Sequence, residues 1–345
     1  MTYKAAIIGC GRIGCSFDDD PKRKYVATHA GAYTNVKDTN LVALVDKEEK
    51  NLKKYKKKFN VPRVYTNYVE MLKHEKPDII SICTWNDTHY EIVKKAVEYN
   101  VKAIFCEKPI ASKLEDAKEM VKICNKNKVI LMIDHQRRFC KFNQAVKKMI
   151  DEYKLGEIQQ ASFYYTAGIA NSGSHMFDLL RYFFGDAEWV CATESKNPSP
   201  NQNDPNFDGM LKFKNNLFCT IQACDVKKFL IFDIDIIGSI GRFKLTHSGF
   251  EYEYEIVKNS HQFLGYRELY PTQKNPINKN IIREPMLNGV KHLTDCLKRD
   301  IKPISSGEDG LKSLELICAF HESAKKDCEK IHLPLKSTSI EIKSR

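Results

Sequence analysis

Through residues 1–134, short apolar runs alternate with stretches whose apolar positions recur every three to four residues. The runs cover residues 5–8, 41–45, 79–83, 101–106 and 129–133 and are rich in Val and Ile. They are apolar on both faces, as strands covered by helices on each side must be. Amphipathic stretches at 49–59, 89–99 and 114–125 separate them. This alternation predicts a doubly wound parallel sheet with right-handed crossovers, an α/β domain over residues 1–134. After residue 134 the rhythm changes. Residues 139–153 predict a linking helix. Strand-like segments then follow one another at 159–165, 189–193, 209–213, 217–223, 229–237, 242–246 and 250–257. Helices are expected at 175–184, 286–298 and 307–328. Successive strands with few helices predict an α+β domain over 135–345, built on a large, predominantly antiparallel, open-faced sheet. Residues 197–205, rich in Pro, Asn and Ser, read as a loop. Residues 263–285, with little periodicity, read as a long excursion.

Composition narrows the picture. A chain of 345 residues, 42 % hydrophobic, can bury two cores. No apolar run approaches the ~20 residues that cross a bilayer, and the run near the N-terminus is too short for a signal peptide. A cytoplasmic protein is expected, with no membrane partner. The 12 cysteines lie mostly singly inside apolar runs and form no C-x-x-C pair. They read as small buried hydrophobes in a reducing compartment, not as disulfides or metal ligands. The net charge is +11. Its densest run, Lys53 to Lys58, interleaves with Leu52, Tyr55 and Phe59 at helical spacing, so the lysines form a solvated helix face. No nucleic-acid motif accompanies the charge. What remains of it can attract an anionic ligand, such as a phosphorylated substrate.

Gly9-Cys10-Gly11-Arg12-Ile13-Gly14 follows the first strand at once and precedes a helical stretch. In that context G-x-G-x-x-G is the fingerprint of a Rossmann dinucleotide site. Gly9 makes the tight turn, Gly11 lets the backbone approach the pyrophosphate, and Gly14 allows close helix–strand packing. Asp46 ends the second strand, where an acid hydrogen-bonds the adenine ribose and repels a 2′-phosphate. This favours NAD over NADP. The long interval to Asp46 reflects an insertion at residues 15–29. Its Asp18-Asp19-Asp20 reads as a solvated loop, and its His29 as a packed residue that can alternatively reach the cofactor or substrate.

The third strand runs out into Thr84-Trp85-Asn86-Asp87-Thr88-His89 and the fourth into Phe105-Cys106-Glu107-Lys108-Pro109. Ligands of open α/β sheets bind beyond the carboxyl ends of the strands, so both segments belong at the nicotinamide end. Lys108, a cation on a flexible stem, can stabilise negative charge on a substrate oxygen. His89 reads as a residue packed at a helix start, or as a cofactor neighbour.

With the glycine loop, Glu107-Lys108-Pro109 and Asn171-Ser172-Gly173-Ser174-His175-Met176-Phe177-Asp178, the chain resembles the Gfo/Idh/MocA family of glucose–fructose oxidoreductase and inositol dehydrogenase. Arg137-Arg138-Phe139 and Ile237-Gly238-Ser239-Ile240-Gly241-Arg242 also look familial, so the resemblance spans nearly the whole chain. It implies Lys108 and His175 as the catalytic pair, His175 being a general acid/base suited to neutral pH. It implies Asn171, Asp178 and Arg138 on the substrate. Around the cofactor it implies Arg12, Ile13, Thr84, Asn86, His89, Glu107 and Lys108, beside Gly9, Gly11, Gly14 and Asp46. Two positions depart from the family pattern. Asn171 stands where an aspartate is frequent, and it can orient a hydroxyl but cannot take a proton. Trp85 replaces a common proline.

The resemblance implies an NAD-dependent oxidoreductase acting on a sugar-type hydroxyl or ketone. The substrate is expected to be a sugar or nucleotide sugar, and the assembly a homodimer or homotetramer formed through the second sheet. Alternatives on the same fold are a polyol or inositol dehydrogenase, a glycosidase working through transient oxidation, and a non-catalytic NAD-binding regulator. Retention of both Lys108 and His175 argues against the regulator.

Overall fold

The computed structural model describes residues 2–272, 276–277 and 284–343. The first elements in chain order are β1 (Tyr3–Ile8), α1 (His29–Asn35), β2 (Thr39–Val45), α2 (Glu49–Lys58), β3 (Arg63–Tyr65), α3 (Tyr68–Glu75) and β4 (Ile79–Ile82). Then come α4 (His89–Glu98), β5 (Ala103–Cys106), α5 (Leu114–Lys126), β6 (Ile130–Ile133) and α6 (Gln136–Phe139). Next are α7 (Lys141–Asp151), β7 (Ile158–Tyr165), α8 (Gly173–Phe184), β8 (Ala187–Glu194), β9 (Phe207–Phe213), β10 (Phe218–Ala223) and β11 (Phe232–Gly238). The chain continues through β12 (Gly241–Thr246), β13 (Glu251–Asn259) and β14 (Arg267–Pro271) to α9 (Pro285–Arg299), α10 (Gly307–Lys325) and β15 (Ile331–His332).

The first unit holds a 6-stranded sheet in the order β3-β2-β1-β4-β5-β6, parallel throughout. Register brings its carboxyl ends level: Ile8 lies beside Val45 and Ile82, and Cys106 beside Ile82 and Ile133. Gly9, Asp46, Cys83, Glu107 and Asp134 therefore leave the sheet along one edge. The strand order reverses between β1 and β4, and that switch point is where such sheets bind ligands. β3 and α3 were not expected from the sequence. β3 is three residues long and partly exposed, too short to leave a periodic signal.

The chain does not divide at residue 134. Residues 1–140 and 283–314 form one unit, 141–282 and 315–345 the other. The reason is the apolar face of α9, whose Met286, Val290 and Leu293 join the core of Phe105, Met132 and Phe139. Gly289 faces that core, and a Cβ there would meet Phe105 at 3.1 Å and Phe139 at 3.2 Å.

The second unit holds a 9-stranded sheet in the order β14-β13-β12-β11-β7-β10-β9-β8-β15. Only β7 and β10 pair in parallel; the other pairs are antiparallel. Burial alternates residue by residue along β11 and β12, the sign of one covered and one open face. On the open face Arg242 pairs with Asp235 and Glu255, and Lys244 with Glu253. On the covered side the rings of Phe177 in α8 and Phe320 in α10 meet edge to face at 4.8 Å. The linking helix is two helices meeting at Cys140. The excursion expected at 263–285 contains β14, and its residues 273–275 and 278–283 lie outside the described residues. No helix among the described residues is long and apolar enough to cross a membrane.

Candidate active site

The three glycines of the loop are required for three different reasons. Gly9 has φ +100°, and a Cβ there would sit 2.8 Å from the Cys83 carbonyl. At Gly14 a Cβ would sit 2.1 Å from the Gly9 oxygen, so the turn closes on the strand. At Gly11 a Cβ would meet nothing within 4 Å. The space over Gly11 is open, as a pyrophosphate lying against the backbone demands. Beside it, Asp46 accepts the Cys10 N–H at 2.7 Å and the Glu48 N–H at 2.8 Å. The carboxylate that would bind the ribose thus also ties the glycine loop to the start of α2. Arg12 is exposed and Ile13 half-buried in the same turn. These features fit NAD.

The helix after the glycine loop is broken and resumed. Gly11 O accepts from Cys15 N at 3.0 Å, closing one turn. The chain then departs and returns at His29, whose N–H donates to Ile13 O at 3.1 Å, while Ala30 N–H donates to Gly14 O at 3.0 Å. In an unbroken helix residues 17 and 18 would make those bonds. Residues 17–28 are therefore the insertion, and His29 is a helix residue. Its imidazole is fully buried, so it does not face the cofactor directly. Nor is Asp18-Asp19-Asp20 only a solvated loop. Asp18 accepts from Ala27 N and Thr28 Oγ1, and Asp19 from Lys54, Tyr55 and Lys58 of α2.

Burial of His29 assembles a network that sequence reading missed. Its Nδ1 meets Ser81 Oγ at 2.8 Å, which in turn meets the Tyr33 hydroxyl at 2.9 Å. Its Nε2 faces Glu107 Oε1 at 3.2 Å and Asp134 Oδ2 at 3.6 Å. Glu107 and Asp134 meet because β5 and β6 are neighbours and Asp134 N–H donates to Cys106 O at 2.8 Å. The donor atoms of His29, Glu107 and Asp134 lie within 4.8 Å of one another, the one grouping among the described residues spaced to hold a metal ion. Burial, and then the neighbouring Asp134, push the Glu107 carboxyl up to about 7. Burial works against charge on His29, yet Cys83, Asp134 and Glu107 together hold the imidazole well above its ordinary value. The same burial raises the Cys83 thiol. His29 and Glu107 thus each hold a proton more tightly than the free group would.

A stability test follows. Folded Glu107 retains a proton that the unfolded chain loses above its ordinary value of 4.5. That stabilisation is complete below ~4.5 and is lost as pH rises through ~7, by at most about 3 kcal/mol. The difference in unfolding free energy between the native chain and Glu107→Gln, from urea titrations, should therefore shrink between pH 5 and pH 8. A difference that stays constant would remove the buried proton.

Lys108 is half-buried at the end of β5. Its backbone N–H donates to Glu107 Oε2 at 3.3 Å, and the bond to Pro109 is cis. Across the switch point, Thr84 Oγ1 meets Thr88 Oγ1 at 2.7 Å, and Asn86 is buried with its amide 3.4 Å from Ala111 O. Two residues assigned by resemblance are otherwise engaged. His89 is fully buried between Ile110 O at 3.2 Å and Thr84 O at 3.1 Å, so it braces the two loops and does not face a cofactor. Burial lowers its pKa. Arg138 is 5 % exposed, with its guanidinium on Ile304 O at 2.8 Å and Asp309 at 3.1 Å. That ion pair anchors α6 to the first turn of α10 and argues against a substrate role.

In the second unit α8 begins at Gly173, carrying half-buried His175 and fully buried Asp178 one turn apart. The entry to this helix is shaped by Asp204, from the loop at 197–205. Its carboxylate accepts the Ala170 N–H at 2.7 Å and the Asn171 N–H at 2.9 Å. Gly168, at φ +91°, permits this, since a Cβ would lie 2.1 Å from that carboxylate. The Asn171 side chain donates to Ala167 O at 3.1 Å. Asp204 had no signal in the sequence beyond its loop composition.

Residues 3–135 match an oxidoreductase family with an NAD-binding Rossmann fold, and residues 168–333 match its C-terminal alpha/beta domain. The chain belongs to the Gfo/Idh/MocA oxidoreductase family. D-apiose dehydrogenase of Paraburkholderia graminis is 24 % identical, over 94 % of this chain and 88 % of that protein. D-apiose dehydrogenase of Rhizobium rhizogenes is 26 % identical, over 93 % and 95 %. In fold, the chain resembles the WlbA dehydrogenase of Bordetella pertussis, solved with NADH and UDP-GlcNAcA, with a TM-score of 0.77, 22 % identity and coverage of 97 % and 100 %. This Gfo/Idh/MocA chain is thus an NAD-dependent oxidoreductase, as the glycine loop and Asp46 led one to expect.

Proposed function

We propose that this family member oxidises or reduces a sugar, or a nucleotide-linked or phosphorylated sugar, at one carbon bearing a hydroxyl or ketone. The observation that carries the reading is the alignment along one sheet edge of the open space over Gly11, the Asp46 carboxylate and Lys108. Bound NAD supplies the hydride acceptor or, reduced, the donor. Oxidation of an alcohol also releases the hydroxyl proton. Lys108 hydrogen-bonds the substrate oxygen and stabilises its growing negative charge, and His175 takes the proton. Asn171 and Asp178 orient neighbouring hydroxyls. Thr84 and Asn86 line the nicotinamide end, and Glu107 fixes the Lys108 backbone.

The net charge of +11 favours an anionic, nucleotide-linked or phosphorylated substrate over a neutral one. Twelve free cysteines, seven of them buried, suit a reducing cytoplasm. The open face of the second sheet suits a homodimer or homotetramer. Cofactor absorbance should be followed with NAD or NADH against sugars, polyols, sugar phosphates and nucleotide sugars. Turnover with one class establishes the enzyme and its substrate group. Tight NAD binding without turnover across the panel would favour the regulator.

A further inference from the structure

The insertion at residues 17–28 lies inside the helix that opens on the phosphate site, and its construction is specific. Asp18 closes its base on Ala27 and Thr28. Gly31 makes room for that carboxylate, which a Cβ would approach to 2.2 Å. Asp19 binds Lys54, Tyr55 and Lys58, fastening the insertion to α2. Ionic contact with Lys54 and Lys58 overcomes the modest burial and lowers the Asp19 carboxyl to about 2. Two of the three acids are thus consumed in holding the insertion down. The third, Asp20, faces Arg23 at 3.5 Å.

The ring of Phe17 carries two guanidinium groups. Arg12, from the glycine loop, stacks at 4.8 Å from its centroid, and Arg23, from the insertion, at 4.1 Å. Arg12 has no ion-pair partner among the described residues. Arg23 Nε lies 3.5 Å from Asp20 Oδ2, an ion pair that makes no hydrogen bond. Lys22 and Lys24 flank it, both exposed. Two guanidinium groups thus share one ring, and Arg12 follows in the chain directly after Gly11, over which the space is open. Guanidinium groups are suited to bidentate contact with phosphate oxygens.

We propose that residues 17–28 form a cationic clamp for the pyrophosphate of NAD, with Arg12 and Arg23 as its two donors and Phe17 as their platform. An ordinary glycine loop binds that group through backbone N–H donors and a single helix end. This insertion adds a second guanidinium, Arg23, from outside the motif and is fastened to the same α2 whose start Asp46 ties to the glycine loop. The clamp recognises the diphosphate, not the base or the nicotinamide.

Fragment binding separates these parts. Dissociation constants for ADP-ribose, NAD and adenosine would be measured by calorimetry on the full-length native protein, Arg23→Ala and Phe17→Leu. Arg23→Ala should weaken ADP-ribose and NAD about tenfold and leave adenosine unchanged, with the difference shrinking at high salt. Phe17→Leu should weaken the same two ligands without touching adenosine. Arg23 is half-buried, with its side chain 33 % exposed, so its variant remains decisive even if Phe17→Leu melts early. Unchanged ADP-ribose binding in Arg23→Ala overturns the clamp, and so does an equal loss for adenosine, which would make the insertion a mere prop. Unchanged nucleotide binding with a raised KM for an anionic substrate also overturns it, assigning the arginines to that substrate. Failure of the native protein to bind ADP-ribose would instead remove the NAD site itself.

Discussion

Lys108→Ala should leave the NAD dissociation constant within about twofold and lower turnover by ~100-fold or more, the scale of a lost electrostatic stabiliser. The two effects separate because Lys108 leaves the sheet at the end of β5, two strands from the glycine loop on β1. Its backbone N–H is held by Glu107 Oε2, a contact that does not involve its ammonium. Lys108→Arg should rescue little. The guanidinium keeps the charge but is larger and planar, so its donors fall elsewhere than the compact ammonium's. The check is NADH fluorescence titration beside steady-state turnover on the substrate found in the panel. Near-normal turnover in Lys108→Ala would place the chemistry elsewhere.

Asp46→Ala should weaken NAD by roughly ten- to a hundredfold and move the NAD-to-NADP preference toward parity. Its carboxylate serves two sets of groups. In the free protein it accepts the Cys10 and Glu48 N–H groups, and with NAD bound it would also take the ribose hydroxyls. Alanine therefore leaves two backbone donors without their acceptor, which by itself costs about 1–3 kcal/mol where they are buried. Loss of affinity alone would not isolate the ribose contact. The ratio of NAD to NADP affinity does, because only the carboxylate repels a 2′-phosphate. An unchanged ratio would take Asp46 out of its assigned role.

β1, β2, β4, β5 and the edge strand β6 were legible because they are almost wholly buried, and such burial demands unbroken apolar runs. β3, β14 and β15 were not. They are short edge strands left partly exposed, which blurs the pattern. The insertion was visible as extra length between the glycine loop and Asp46, but not its exit and return. That His29 resumes the helix is a fact of hydrogen-bond register, absent from residue type. The pairing of Glu107 with Asp134 depends on β5 lying beside β6. Asp134 drew no notice because a lone aspartate after a strand reads as a cap. His89 and Arg138 mark the limit of resemblance: it can suggest a role for a residue without revealing that Thr84, Ile110, Ile304 and Asp309 already engage it.

The membership of α9 in the first unit also sets a timetable. The strands that α9 covers leave the ribosome early, while α9 itself follows only after nearly the whole second unit. At about 5–20 residues per second, the core around Phe105, Met132 and Phe139 waits on the order of ten seconds for Met286, Val290 and Leu293. During synthesis the NAD-binding part is an unfinished domain with a greasy flank, and its completion is bound to the arrival of the chain's last quarter. A gene fragment ending at residue 140 would carry every glycine of the cofactor loop yet lack the lid of its own core.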